Sequence, residues 1–224
     1  KIGKDTGAIM LSPGTEAVPT GVIASEKGLT VEYYAPFGVI GAVTPVTNPI
    51  ATIIANTICM LAGGNTVVFN AHPASIKCAT AAVQGVNQAI VNAGGPENIC
   101  TMPANPTMET LDDIMFAPEV KLLVGTGGPG MVKTLMSAGK KVVAAGPGNP
   151  PSIIDETADL KKAAAGVLAS ATFDNNLLCI AEKEIFVVDA IYDAFMDELE
   201  ALGNYRMTRE EADKVTAVGI VETK

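Results

Sequence analysis

The chain has 224 residues, 48% of them hydrophobic and 17% charged, which is too apolar for a disordered chain and enough for one large domain or one and a half ordinary ones. Its net charge of −9 comes without a basic run, which argues against a nucleic-acid groove. A single histidine removes the multi-histidine zinc sites.

The first thirty residues read as an extended, glycine-rich arm that includes Gly21–Ser25, and Thr30–Tyr34 reads as a strand. Strand and helix then alternate. Phe37–Val43 is a wholly apolar strand ended by Thr44-Pro45. Asn48-Pro49 opens a helix, with asparagine as N-cap and proline at the first helical position. It runs to about Leu61 and stops at Gly63-Gly64. Thr66–Asn70 is the next strand, and Pro73–Asn92 the next helix. A short strand at Asn98–Met102, a helix over Pro106–Met115 and a strand at Lys121–Val124 follow. The series closes with a helix over Gly128–Ser137 and a strand at Lys141–Ala145. Five short apolar strands separated by helices predict a parallel, doubly wound, Rossmann-like α/β sheet.

After Pro150-Pro151 the pattern restarts with a strand at Ser152–Asp155 and a helix over Leu160–Ala171. A polar loop at Asp174–Asn176, a strand at Glu184–Val188 and two helices, Ile191–Leu202 and Arg209–Ala217, complete it. A boundary is expected near residue 150. It separates an arm (1–36) and a first domain (37–150) from a second, incomplete α/β domain (151–224).

The N-terminus lacks the apolar core of a signal peptide. The most apolar run, Ile50–Gly63, is broken by Thr52, Asn56 and Thr57 and is too short and polar to span a bilayer. The chain is expected to be soluble and cytoplasmic, and to be a fragment of a longer protein. Cys59, Cys78, Cys100 and Cys179 are spaced neither as a metal site nor as a disulfide framework. Buried, reduced thiols are expected, with at most one reactive.

Five features could carry chemistry. Gly125-Thr126-Gly127-Gly128-Pro129-Gly130 matches G-x-G-x-x-G after a strand and before a helix, where free N–H groups can meet a pyrophosphate. The acid expected roughly 20 residues on is absent, because Ala144 and Ala145 end the next strand. A plain tight turn therefore stays open beside a phosphate-facing one. Gly146–Pro151 is a rigid loop, either an interdomain hinge or a surface on which a flat ring can lie. Cys179 follows a polar loop while the other cysteines sit in apolar patterns, so it is the best nucleophile candidate. Asn48 is an N-cap or an oxyanion donor, and His72 an exposed loop or cap residue or a ligand contact.

These segments resemble the aldehyde dehydrogenase superfamily, specifically its coenzyme A-acylating branch, which acts on acetaldehyde or propionaldehyde and in many cases resides in bacterial microcompartments. The resemblance is carried, in order, by Glu32–Pro49, Gly64–Pro73, Val124–Gly130, Ala144–Pro151 and Phe173–Lys183. It implies that residues 37–150 bind a dinucleotide, 151–224 begin a catalytic domain and 1–36 belong to an oligomerisation region. It implies that Cys179 is the nucleophile and Asn48 the oxyanion-holding amide. Thr44, Pro45, His72, Gly125, Thr126, Gly127, Gly146 and Gly148 are then the cofactor-binding positions, and no metal is used. The implied reaction passes from a thiohemiacetal on Cys179, through hydride transfer to NAD, to a thioester cleaved by coenzyme A. Homo-oligomers and a microcompartment shell are the implied partners besides aldehyde and coenzyme A. Hydrolytic members carry a Glu as water-activating base where this chain has Ala144. They also carry Lys-Pro-Ala-Glu, which holds the adenosine ribose, where this chain has Asn70-Ala71-His72-Pro73. NAD against NADP stays open. So do a hydrolytic enzyme, the acylating half of a fused aldehyde–alcohol dehydrogenase, and a non-catalytic nucleotide-binding module.

Overall fold

In the computed structural model residues 20–219 are described, and the chain divides between Pro147 and Gly148 into two compact units. The first unit opens with an antiparallel ribbon of β1 (Gly21–Ser25) and β2 (Gly28–Glu32). The expected extended arm is thus a hairpin over these residues. Its second strand ends at Glu32 rather than Tyr34, shortly before Pro36, which can donate no ladder hydrogen bond. Residues 1–19 of the expected arm lie outside the described residues.

Five parallel strands form the main sheet: β3 (Val39–Val43), β4 (Thr66–Asn70), β5 (Cys100–Thr101), β6 (Val120–Thr126) and β7 (Lys141–Ala145). Their order is β5-β4-β3-β6-β7. Four helices connect them: α1 (Pro49–Ala62), α2 (Ile76–Asn92), α3 (Met108–Phe116) and α4 (Pro129–Met136). Because side chains alternate across a strand, Ile40, Ala42, Val67 and Phe69 pack on Ile53 and Met60 of α1 and Ala79 and Val83 of α2. Val43, Val120 and Leu123 pack on Leu111, Ile114 and Met115 of α3 and Leu135 of α4. Helices on both faces make the sheet doubly wound, as expected.

Two helix starts differ from expectation. The helix expected from Pro73 begins as a single 3-10 turn, Pro73–Ser75, capped by His72, with α2 proper starting at Ile76. The helix expected from Pro106 begins at Met108, because Thr107 and Thr110 form a reciprocal capping box.

The second unit holds a parallel pair, β8 (Pro151–Ile154) and β9 (Glu184–Val187). Three helices accompany it: α5 (Leu160–Ala171), α6 (Tyr192–Ala201) and α7 (Arg209–Gly219). Asp159 caps α5 by accepting from the Lys162 N–H at 3.1 Å. Ile154, Ala164, Val167 and Phe195 form its core. No helix among the described residues is long and apolar enough to cross a membrane.

Candidate functional site

In the first unit the chain runs β3, β4, β5 toward one edge, then returns to place β6 and β7 on the other side of β3. Between β3 and β6 the winding reverses, and in open α/β sheets ligands bind at the carboxyl ends of the strands there. Val43 pairs with both Asn70 and Gly125, and Thr126 with Ala145. Thr44, His72, Gly127 and Gly146 therefore follow the strands at one common end of the sheet.

Thr44 is 2% exposed. Its N–H donates to the Asn70 carbonyl at 3.3 Å. Its hydroxyl is the one buried side-chain polar atom among the described residues without a hydrogen-bond partner. An unsatisfied buried hydroxyl costs free energy that a polar partner would recover, and this one lies at the switch point. Pro45 is half-buried beside it.

The glycines of the Gly125–Gly130 turn divide by role. A β-carbon on Gly125 would run into Leu135 Cδ1, so this glycine serves the packing of α4 on β6. On Gly127 it would meet only Met131, at 3.4 Å, and on Gly128 or Gly130 nothing within 4 Å. Gly127 gives its N–H to Ala145 at 3.1 Å. Gly128 is the N-cap of α4 and Pro129 its first residue. The result is a helix start with orphan N–H groups and open space at Gly128 and Gly130, an arrangement that suits a phosphate. Among positions 125–127, Gly125 is thus accounted for by packing alone.

Asn70 and His72 part company. Asn70 donates to the Thr107 carbonyl at 3.2 Å and accepts from the Thr110 hydroxyl at 2.8 Å. That side chain is spent on the start of α3. His72 is exposed, and its Nδ1 accepts from the Ala74 N–H at 3.1 Å. The other ring nitrogen, Nε2, is left without a hydrogen bond among the described residues.

Asn48 occupies the N-cap position of α1, but its side chain makes no capping hydrogen bond. Asn48 is thus the N-cap residue ahead of a first-turn proline, as expected, with φ of −153° and ψ of 61°, but the side-chain capping bond that usually goes with the position is not made. The residue is 7% exposed, with its amide uncommitted to the helix.

In the second unit Asp174, Asn175 and Asn176 all have positive φ, 52°, 54° and 58°. Three consecutive left-handed residues are costly outside glycine, and Asp and Asn bear that cost best. The expected polar loop is this left-handed turn. It delivers Cys179 onto a second turn, closed by the Ala181 N–H donating to the Leu178 carbonyl at 3.2 Å. Leu178 and Ala181 are buried anchors and Cys179 is half-buried between them. A β-carbon on Gly148 would collide with the Cys179 carbonyl oxygen, so the glycine loop lies against the backbone of this cysteine. Gly146, in the first unit, has only Val132 near it, at 3.9 Å.

The remaining cysteines correct one expectation. Cys100 is buried, but Cys59 and Cys78 are exposed. Apolar runs on α1 and α2 conceal which helix face a given residue takes. Burial raises the Cys100 thiol pKa, partly offset by its hydrogen bond with Thr57.

Sequence reasoning missed Asn176 and Lys183. Lys183 Nζ donates to the Leu178 and Ala181 carbonyls at 3.1 and 3.2 Å, and to Asn176 Oδ1. Only the repeated Asn in Asp174-Asn175-Asn176 hinted at a special backbone here.

The profile of the aldehyde dehydrogenase family matches residues 10–223. The acetylating acetaldehyde dehydrogenase EutE of Escherichia coli (strain K12) is 42% identical over 219 residues, 97% of this chain and 47% of the relative. The CoA-propanoylating propanal dehydrogenase of Citrobacter freundii is 41% identical, over 99% of this chain and 48% of the relative. The structure of a propionaldehyde dehydrogenase from the fucose utilisation bacterial microcompartment of Clostridium phytofermentans superposes with a TM-score of 0.89. It is 45% identical, over 99% of this chain and 52% of that one. The chain spans about half the length of the relatives it matches.

Proposed function

The chain belongs to the aldehyde dehydrogenase family, and on that premise we propose that the protein oxidises acetaldehyde or propionaldehyde to the acyl-CoA with NAD, through a thioester on Cys179. The observation that carries this reading is the chemistry left at one position. Ala144, near the end of β7, offers a methyl group where hydrolytic members have their water-activating glutamate. The relatives named as acetylating and CoA-propanoylating support the same choice of acyl acceptor.

Residues 37–150 are the dinucleotide-binding domain in this reading. The orphan Thr44 hydroxyl and the open glycines at the start of α4 fit a polar, phosphate-bearing cofactor. Thr44, Pro45, Thr126, Gly127, Gly146 and His72 would hold it, with Gly125 and Gly148 shaping the two loops. When bound, NAD supplies the hydride acceptor; NADP would meet the same residues. Residues 151–224 begin the catalytic domain. Cys179 adds to the aldehyde carbon and the Asn48 amide donates to the resulting oxyanion, the kind of contact that is worth about 3 kcal/mol when preorganised. Oxidation leaves an acyl group on the Cys179 sulfur, and the thiol of coenzyme A takes it, returning the cysteine.

The exposed apolar side chains of the β1–β2 ribbon, Val22, Ile23 and Leu29, support an oligomerisation role for residues 1–36. The microcompartment origin of a similar structure supports a cytoplasmic protein that is packaged in such a shell.

Mass spectrometry of the complete protein, incubated with propionaldehyde and NAD but no coenzyme A, tests this. A propionyl adduct on the Cys179 peptide, absent from Cys179→Ala, is expected. Dinucleotide binding with no adduct would instead favour a non-catalytic module.

A further inference from the structure

We propose that Lys183 is a positioning residue for the nucleophile. Its ammonium pins the peptide that enters Cys179, and Asn176 locks the same loop from its other end. The inference rests on Cys179 being the nucleophile.

A lysine ammonium has three donors, and here each finds an acceptor within one short loop: Leu178 O, Ala181 O and Asn176 Oδ1. Two of these carbonyls bracket Cys179. Leu178 O also receives the Ala181 N–H at 3.2 Å, so both its lone pairs are engaged. Asn176 in turn donates to Ala171 O at 2.7 Å and Glu182 O at 2.9 Å, tying the end of α5 to the loop's exit. The backbone N–H of Lys183 reaches Pro150 O at 3.2 Å. One residue thus fastens the cysteine turn to the glycine loop whose Gly148 abuts Cys179.

The consequence follows from the planar trans peptide, which sends its C=O and N–H to opposite sides. Holding Leu178 C=O fixes where the Cys179 N–H points, and that N–H meets no acceptor among the described residues. With the Ala181 carbonyl held as well, the backbone on both sides of Cys179 is restrained, which narrows the directions its side chain can take. The approach to the loop is three left-handed residues, a conformation that persists only where surroundings over-determine it. Lys183 is itself exposed, and a surface lysine commonly leaves its donors to water. This one commits all three to the carbonyls and amide around one thiol.

The test uses the complete protein with three variants, Lys183→Met, Lys183→Arg and Cys179→Ala. The readouts are single-turnover NADH formation without coenzyme A, the NAD dissociation constant, and thermal melting. Lys183→Met is expected to slow the single turnover on the order of tenfold or more, the size that misplacement of a reacting group produces, with NAD affinity and melting little changed. Lys183→Arg, which keeps charge and donors, is expected to recover most of the rate. A Lys183→Met enzyme that turns over at the wild-type rate while Cys179→Ala is dead overturns the inference and spares the nucleophile. A Cys179→Ala enzyme that still forms NADH overturns the nucleophile reading instead. Should Lys183→Met lose its fold, Lys183→Gln decides by the same readouts, a normal rate again overturning the proposal.

Discussion

The α-carbon of Gly148 stands so close to the carbonyl oxygen of Cys179 that no side chain fits between them. A glycine loop and a candidate nucleophile are therefore one packed object, and a change in either is felt by the other.

Gly148→Ala makes that coupling measurable. The added methyl must displace backbone rather than a flexible side chain, and overpacking of this kind typically costs about 1–3 kcal/mol. Stopped-flow NADH formation is expected to fall by roughly tenfold or more as the cysteine turn moves. A variant with wild-type melting and wild-type single turnover would show that the turn yields freely.

The glycines of the phosphate-facing turn should separate by mutation. Gly125→Ala forces its methyl into Leu135 and is expected to lower stability by about 1–3 kcal/mol, read as a shifted denaturation midpoint. Gly127→Val has room in the fold, with only Met131 near. It is expected to keep the midpoint and to weaken NAD binding in calorimetry, since the β-branched side chain obstructs the backbone approach to phosphate. Equal NAD affinity in Gly127→Val and wild type would remove the phosphates from this turn.

This division of labour could not be read from the motif, which scores all its glycines alike. Much else was legible. The apolar runs that became β3, β4 and β7, and the span of α5, follow from periodicity and breakers that act locally. What escaped depends on contacts across the chain or on side-chain reach. Asn48 has the identity and place of a cap, yet its side chain makes no capping hydrogen bond. Lys183 lies beyond any periodic pattern, and its three acceptors are defined only once the left-handed turn at 174–176 has folded the loop back. Cys59 and Cys78 were misjudged because helices with apolar residues on several faces do not announce their solvent side.

Alkylation should reflect that correction. With Cys59, Cys78 and Cys179 all reachable and Cys100 fully buried, brief iodoacetamide treatment followed by peptide mapping is expected to leave only Cys100 unmodified. Loss of activity should track the Cys179 peptide alone and persist in a Cys59→Ser, Cys78→Ser background. Inactivation that tracked Cys59 or Cys78 would contradict the assignment of Cys179.

Cys100 gives a pH signature. Burial raises its folded pKa above the unfolded value, so the folded state binds this proton more tightly. The associated stability is fully present below the ordinary thiol pKa and is lost as pH rises through the raised folded value. Urea midpoints measured from neutral to alkaline pH are expected to fall more steeply in the parent than in Cys100→Ala. Parallel curves would show that this thiol does not couple to folding.

In the proposed reaction the acyl group on Cys179 goes to a thiol and not to water. General-base assistance is worth about 10²–10⁴-fold to an attacking water, and the methyl of Ala144 can accept no proton. A thiol needs less help, because sulfur is a strong nucleophile once ionised. The deciding measurement is NADH formation by the complete protein from propionaldehyde with and without coenzyme A, with products separated by chromatography. Sustained turnover to propionyl-CoA is expected when coenzyme A is present, and about one turnover with traces of free acid when it is absent. Steady conversion to propionate without coenzyme A would contradict this expectation.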